Sequence, residues 1–302
     1  MACLTYKKAN LLRLVNILLF LTQISTMYRV LGILLLGIAT QAQAQYFYND
    51  ILANKQAKEN FLLLKTNEIK RVTVTSTDPD GMPTEGFAIL QQINSKKNEM
   101  VTSTQSTISP VSIFSSSFTP TGNLLASQDS TENAVSQTTY SYGENDNLQK
   151  VTSQTHEPEK SVIKFSENRL YSFDGSRPTS MIRIKNRKDT LKVEFIAEEH
   201  GLVGEERWIE KGKTIETYYY YYDANGRLTD IAHFNKTARR ILPDYIFEYD
   251  TKGRITSMDA IVTGTNQYRN WRYSYDARGL KIKEIIYNKD KRAEGKVLYN
   301  YE

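Results

Sequence analysis

From residue 215 to the C-terminus, aromatic and polar residues alternate with a period of two, the spacing of a β-strand with one apolar and one wetter face. Counting back from three aspartates gives Tyr222/Tyr220/Tyr218, Tyr249/Phe247/Tyr245 and Tyr275/Tyr273/Trp271, one aromatic trio per strand. Glu248, Arg272 and Ser274 fall between them and belong to the other face. Each trio runs into a turn: Tyr222-Asp223-Ala224-Asn225-Gly226-Arg227-Leu228, Tyr249-Asp250-Thr251-Lys252-Gly253-Arg254-Ile255, and Tyr275-Asp276-Ala277-Arg278-Gly279-Leu280. The Asp-x-x-Gly step suits a type I turn, with Asp223, Asp250 and Asp276 bonding the backbone ahead of them. Gly226, Gly253 and Gly279 then take the left-handed conformation that restores strand pairing. The turn tyrosines are 27 and 26 residues apart, and a further 26 reach Tyr301, so each period holds one hairpin and the chain ends on the first strand of another.

Weaker copies lie upstream. Phe118-Thr119-Pro120-Thr121-Gly122-Asn123-Leu124 and Tyr140 to Leu148 keep the aromatic–turn–Leu order, with Asn147 expected to stand in for glycine, and Asp78-Pro79-Asp80-Gly81 is another turn. Phe195 to Gly201 and Phe165 to Leu170 are fainter. Residues 49–69 differ: Ile51, Leu52, Phe61, Leu62, Leu63 and Leu64 stand among Ala, Lys, Gln and Glu, a helix-forming composition. The pattern predicts an all-β fold, a curled antiparallel meander of repeated hairpins with one or two short N-terminal helices covering part of it. About ten strands is the most an open sheet holds without curling.

Charge and cysteine narrow the function. The net charge is +5, but Lys7, Lys8, Arg13 and Arg29 supply +4 of it with no acid among residues 1–44. The remaining body is close to neutral, which removes the electrostatic ground for a nucleic-acid partner. Cys3 is the only cysteine, so no disulfide framework or cysteine nucleophile is expected. Arg29, the apolar run Val30–Ala39 and Ala42-Gln43-Ala44 read as a secretory signal cleaved before Gln45, with Met27 an alternative start. The run is shorter than the ~20 residues a spanning helix needs. The organisation expected is a signal peptide over 1–44, a helical segment over 45–70 and a repeat sheet over 71–302, clearest over 215–302. Export to the periplasm, the outer membrane or the medium follows.

The Tyr-Asp-x-x-Gly-Arg-Leu units resemble YD repeats of the Rhs type. Tyr222, Asp223 and Gly226, Tyr249, Asp250 and Gly253, and Tyr275, Asp276 and Gly279 match the motif; Leu280 departs from the expected Arg. The resemblance implies a long curved β-sheet, in some members a shell around a toxin, and in some a proposed carbohydrate-binding role. The repeats here are too few for a large shell, and no toxin domain is expected to accompany them.

The sequence points away from catalysis. His156, His200 and His233 are far apart and show no metal-ligand spacing. The turn aspartates have a capping role that explains them without a cation, and no nucleophile elbow or phosphate loop is present. No cofactor and no metal are expected. The aromatic array is a core ladder in one reading and a ligand platform in the other, the platform being Tyr218, Tyr219, Tyr220, Tyr221, Tyr222, Tyr245, Tyr249, Trp271, Tyr273 and Tyr275. Tyr219 and Tyr221 lie on the opposite strand face from their neighbours and are the first contact surface to consider. The expected protein is an exported, non-catalytic β-repeat protein presenting a surface for a glycan or an envelope component. A carrier of lipid or other hydrophobic ligand and an outer-membrane β-barrel stay open as alternatives. The C-terminal strand, with Val297, Leu298, Tyr299 and Tyr301 on a thinly charged edge, is expected either to be covered by another part of the chain or to mediate homo-association.

Overall fold

The computed structural model describes residues 46–302 except 108, 160–161 and 262–266, so the leader and its cleavage site lie outside the described residues. One helix, α1 (Asn49–Thr66), precedes the sheet. The first strands are β1 (Arg71–Thr77), β2 (Ala88–Asn94), β3 (Glu99–Ser106), β4 (Ser109–Phe118), β5 (Leu124–Ser130) and β6 (Val135–Tyr142). Then come β7 (Leu148–His156), β8 (Ile163–Asp174), β9 (Arg177–Lys185), β10 (Asp189–Ala197), β11 (Val203–Glu210) and β12 (Lys213–Tyr222). The last six are β13 (Leu228–Asn235), β14 (Arg240–Tyr249), β15 (Ile255–Ile261), β16 (Tyr268–Tyr275), β17 (Lys281–Tyr287) and β18 (Ala293–Tyr301).

Every strand pairs antiparallel with the next, and β18 returns to β1, matching Val72 to Tyr301 and Ser76 to Val297. The curled meander therefore closes into an 18-stranded barrel. Closure answers the question of the C-terminal edge, because β1 covers it within the chain and the Lys70 and Arg71 amides donate to the Glu302 carbonyl. Closure is the one arrangement that leaves a sheet without edges.

The repeat motif has a physical reading at each position. Asp223 Oδ1 accepts the amides of Asn225 (2.9 Å) and Arg227 (3.0 Å), while its Oδ2 accepts Arg227 Nε at 2.6 Å. The Arg227 guanidinium lies 5.0 Å from the centre of the Tyr249 ring and donates to the Asp250 carbonyl, tying one repeat to the next. Arg254 does the same with Asp250, Tyr275 and the Asp276 carbonyl. The Tyr249, Tyr275 and Tyr301 hydroxyls each donate to a carbonyl of the preceding repeat, Leu228, Ile255 and Lys281, at 2.6–2.7 Å. Tyr301 thus occupies its place in the repeat. Where Leu280 replaces Arg it is buried, and Arg278 pairs with Asp276 instead. Gly253 has φ +79°, a conformation costly to a residue with a Cβ.

Two details differ from the sequence expectation. Phe165 to Leu170 runs straight through β8 with no turn. At the β6–β7 turn the left-handed residues are Asn145 and Asp146, while Asn147 is extended. The expected Asp78–Gly81 turn forms in the β1–β2 connection, at the opposite end of the barrel from the repeat turns.

Candidate functional site: the plugged barrel interior and the outer tyrosines

The N-terminal segment docks on the inner face of the barrel. Phe61 is fully buried and stacks on Phe118 at 4.2 Å between ring centres. Lys58 reaches Asn123 at the β4–β5 turn, and Lys65 reaches Asn98 at the β2–β3 turn, so α1 lies toward the end carrying the repeat turns. Ahead of the helix, Tyr46 packs on Tyr218, Tyr220 and Tyr245. Phe47 packs on Trp208, and Tyr48 on Tyr220 and Phe195. The segment is a plug whose aromatic side chains fit the inward-facing rings of β10 to β14.

Two buried charge centres fasten it. Glu206 on β11 is 0% exposed and accepts four hydrogen bonds: Phe47 N at 2.7 Å, Tyr48 N at 2.9 Å, Trp208 Nε1 at 2.6 Å and Tyr220 Oη at 2.7 Å. Tyr48 is the N-cap of α1 and has no side-chain cap of its own. A carboxylate from the barrel wall therefore completes the helix start, at the positive end of its dipole. Burial pushes the Glu206 carboxyl up, against the four donors that pull it down. The second centre joins Asp50 in the first turn of α1 to Arg169 (2.6 Å) and to the Tyr171 hydroxyl, both on β8. Burial drives Tyr171 far above its ordinary value, and the Asp50 charge adds to the shift.

Elsewhere on the inner wall, Glu284 on β17 accepts from Lys281 and Tyr299 at 3.1 Å. His233 Nδ1 meets Asp244 at 2.6 Å beside Tyr218. Burial raises the Asp244 carboxyl and His233 opposes the rise. His156 Nδ1 contacts the Glu157 carbonyl and His200 pairs with Glu198, so each histidine has a different local partner. Among the described residues no three His, Cys, Asp or Glu gather as metal ligands.

The ten aromatic residues divide by face. Tyr218, Tyr220 and Trp271 point inward and are buried, and Tyr222, Tyr245, Tyr249, Tyr273 and Tyr275 are half-buried on the same inner side. Tyr219 and Tyr221 turn outward. Tyr219 sits opposite Glu205 and Tyr221 opposite Asp230, and Tyr221 is 48% exposed. The turn residues Asp223, Gly226, Asp250, Gly253, Asp276 and Gly279 are occupied in the repeat geometry. Glu206 and Arg169 escaped the sequence reading, because charged residues in alternating strands are normally assigned to the outer face. The available signal was Trp208: an inward Trp208 places Glu206, two residues before it, inward as well.

No family model matches the sequence, and no curated protein does. Among solved structures the chain is similar to a porin-like protein from Bacteroides uniformis, at 10% identity over 78% of this chain and 96% of that one, with a TM-score of 0.40. A Tc holotoxin pore from Photorhabdus luminescens matches at 12% identity over 74% of this chain and 15% of that one, TM-score 0.29. An exported protein of YmcC-like fold from Bacteroides fragilis, putative in its own description, matches at 8% over 77% and 94%, TM-score 0.18. These likenesses are too distant to carry function.

Proposed function

We propose that the chain is an exported, non-catalytic envelope protein whose closed, plugged barrel presents its outer surface to a partner, with a glycan at Tyr219 and Tyr221. The observation that carries this reading is the division of chemistry between the two faces. Inside, Glu206, Asp50, Arg169 and Glu284 bond to the chain's own groups. Outside, Tyr219 and Tyr221 stand beside Glu205, Arg207 and Asp230, aromatic faces with polar neighbours of the kind that stack on a sugar ring and bond its hydroxyls. The outer face carries charges among its exposed apolar side chains. Lys192 pairs with Glu194, Arg207 with Glu205, and Arg272 is exposed, all near the middle of outward strand faces. Lys192, Arg207 and Arg272 would each cost about 2–4 kcal/mol at a bilayer midplane, which weighs against a membrane-spanning barrel. A glycan array with the protein beginning at Gln45 tests the reading. Binding that falls in both Tyr219→Ala and Tyr221→Ala supports it; binding untouched by either substitution, or absent throughout, removes it.

A second reading has one observation in its favour. Trp271 Nε1 is buried in the barrel interior with no hydrogen-bond partner among the described residues, as a hydrophobic-ligand carrier with one acceptor over the indole would need. Mass spectrometry of an organic extract of the purified protein decides it: a stoichiometric lipid supports the carrier.

A further inference from the structure

One sector of the barrel's far end differs in charge from the repeat-turn end. At the repeat-turn end, Asp223, Asp250 and Asp276 are paired with Arg227, Arg254 and Arg278. At the far end, the β9–β10, β11–β12 and β13–β14 hairpins carry Arg187, Lys188, Lys211, Lys213, Lys236 and Arg239 at or beside their turns, all exposed, with Arg240 opening β14. None of these side chains has an ion-pair partner among the described residues. The acids of the same sector are Asp189, already paired with Arg183, Glu210, and Glu216, which lies on the inner face opposite Trp208.

Exposed apolar side chains lie directly beside these cations on the outer face. Phe234 and Ile241 form a cross-strand pair of β13 and β14, at 45% and 43% exposure. Ile215 on β12 flanks them on one side, and Ile261 and Tyr268, paired across β15 and β16, extend the stripe on the other. A rim in which cations alternate with exposed Ile and Phe suits a surface that is anionic in its headgroups and apolar beneath them. A nucleic-acid backbone would use the cations and leave Phe234 and Ile241 in water.

We propose that the far rim of the barrel, centred on the β11–β12 and β13–β14 hairpins, docks on an anionic membrane surface. The docking inserts Phe234 and Ile241 at the level of the headgroups and stands the barrel with its repeat turns away from the bilayer. The inference rests on export to an envelope but not on any glycan.

Co-sedimentation of the protein beginning at Gln45 with vesicles tests it, using phosphatidylcholine alone and phosphatidylcholine mixed with phosphatidylglycerol. Binding is expected to the mixed vesicles only. It should weaken strongly at about 1 M salt, where the screening length is ~3 Å. Each cation held near such a surface is worth about fivefold in partitioning, so Arg239→Ala/Arg240→Ala should lose roughly 25-fold. Phe234→Ser should weaken binding in a way that salt does not reproduce, and Lys252→Ala on the opposite rim should change nothing. The salt series on the unaltered protein carries the electrostatic test if a variant fails to fold. Three results overturn the proposal: no binding to mixed vesicles, equal binding to neutral ones, or binding indifferent to Phe234→Ser while a DNA duplex is bound equally well. If vesicle binding fails and the array still shows Tyr219-dependent binding, only the rim assignment is lost.

Discussion

Replacing Glu206 tests the plug at its most heavily bonded point. Glu206→Ala removes the acceptor for two backbone amides, an indole N–H and a phenol, all at 2.6–2.9 Å around a side chain with no exposure. Each orphaned buried donor costs about 1–3 kcal/mol. Tyr220 can turn its hydroxyl elsewhere and water can enter the hole, so the realistic total is about 3–5 kcal/mol, similar to other broken buried charge centres. For a domain of this size about 1 kcal/mol corresponds to roughly 2–4 °C in Tm, so the expected drop is about 6–20 °C. Glu206→Gln is the discriminating partner. With its amide oxygen toward Phe47 N and Trp208 Nε1, its NH2 faces Tyr220, whose hydroxyl can accept, and only the Tyr48 amide loses its acceptor. Its cost should stay near a single donor, about 1–3 kcal/mol. Circular dichroism melting of the three proteins measures both steps. If Glu206→Ala melts within a degree of the parent, or the two variants melt together, the four-donor anchor is not what holds the plug.

The other perturbations address separate parts of the account. Phe61→Ala should cost about 3–5 kcal/mol in chemical denaturation, since the ring is fully buried against Phe118; a loss below about 1 kcal/mol would place α1 outside the core. Gly253→Val should destabilise more than Thr251→Val by at least about 1–2 kcal/mol in thermal unfolding, because an added Cβ has room there and the φ of +79° is the whole obstacle; equal effects would contradict the left-handed turn. The Arg227 side chain holds the Asp223 carboxyl below its ordinary value, and the Arg254 backbone amide and side chain do the same for Asp250. The stabilisation from these turns is therefore present above the unfolded carboxylate value of about 3.9 and lost as pH falls through the lower folded one. NMR titration should show Arg227→Gln returning Asp223 toward its ordinary value, and an unchanged midpoint would refute the pairing. Deleting residues 297–302 strips β1 and β17 of a neighbour, so melting temperature should fall and size-exclusion should show self-association through the two new edges; an unaltered monomer would mean the barrel does not depend on closure.

How much of this could be read from the chain depended on how local the physics was. The repeat turns were legible because Asp223, Gly226 and Arg227 act within five residues, and the aromatic alternation identified the strands that carry them. Strand count and closure were not legible, since the β1–β18 contact joins Val72 to Tyr301 and nothing near either residue announces the other. The stretch Phe165 to Leu170 imitated a turn because Ser166, Glu167 and Asn168 are turn-prone, yet pairing with β7 and β9 on both sides keeps it extended. The β6–β7 turn has the same length as the repeat turns, Tyr142 to Leu148 matching Tyr222 to Leu228, so Asp146 and not Asn147 stands at the glycine position, with Asn145 left-handed beside it. The inner charges were hidden for a different reason. Glu206 and Arg169 break the apolar-inside pattern, and only the plug that they bind makes those positions tolerable. The outward tyrosines were legible from period two alone, because Tyr218 to Tyr222 form an unbroken run in which alternate rings must take opposite faces.

Amide hydrogen exchange at Phe47 and Tyr48 tests most directly that the N-terminal segment is a fixed part of the barrel. Both amides donate to a carboxylate with no solvent exposure, so their exchange should be as slow as that of the strand amides around Val193 and Ile231 and should accelerate together with them in denaturant. Exchange within seconds at Phe47 and Tyr48, with the strands still protected, would show that the segment leaves the barrel while the wall stays folded.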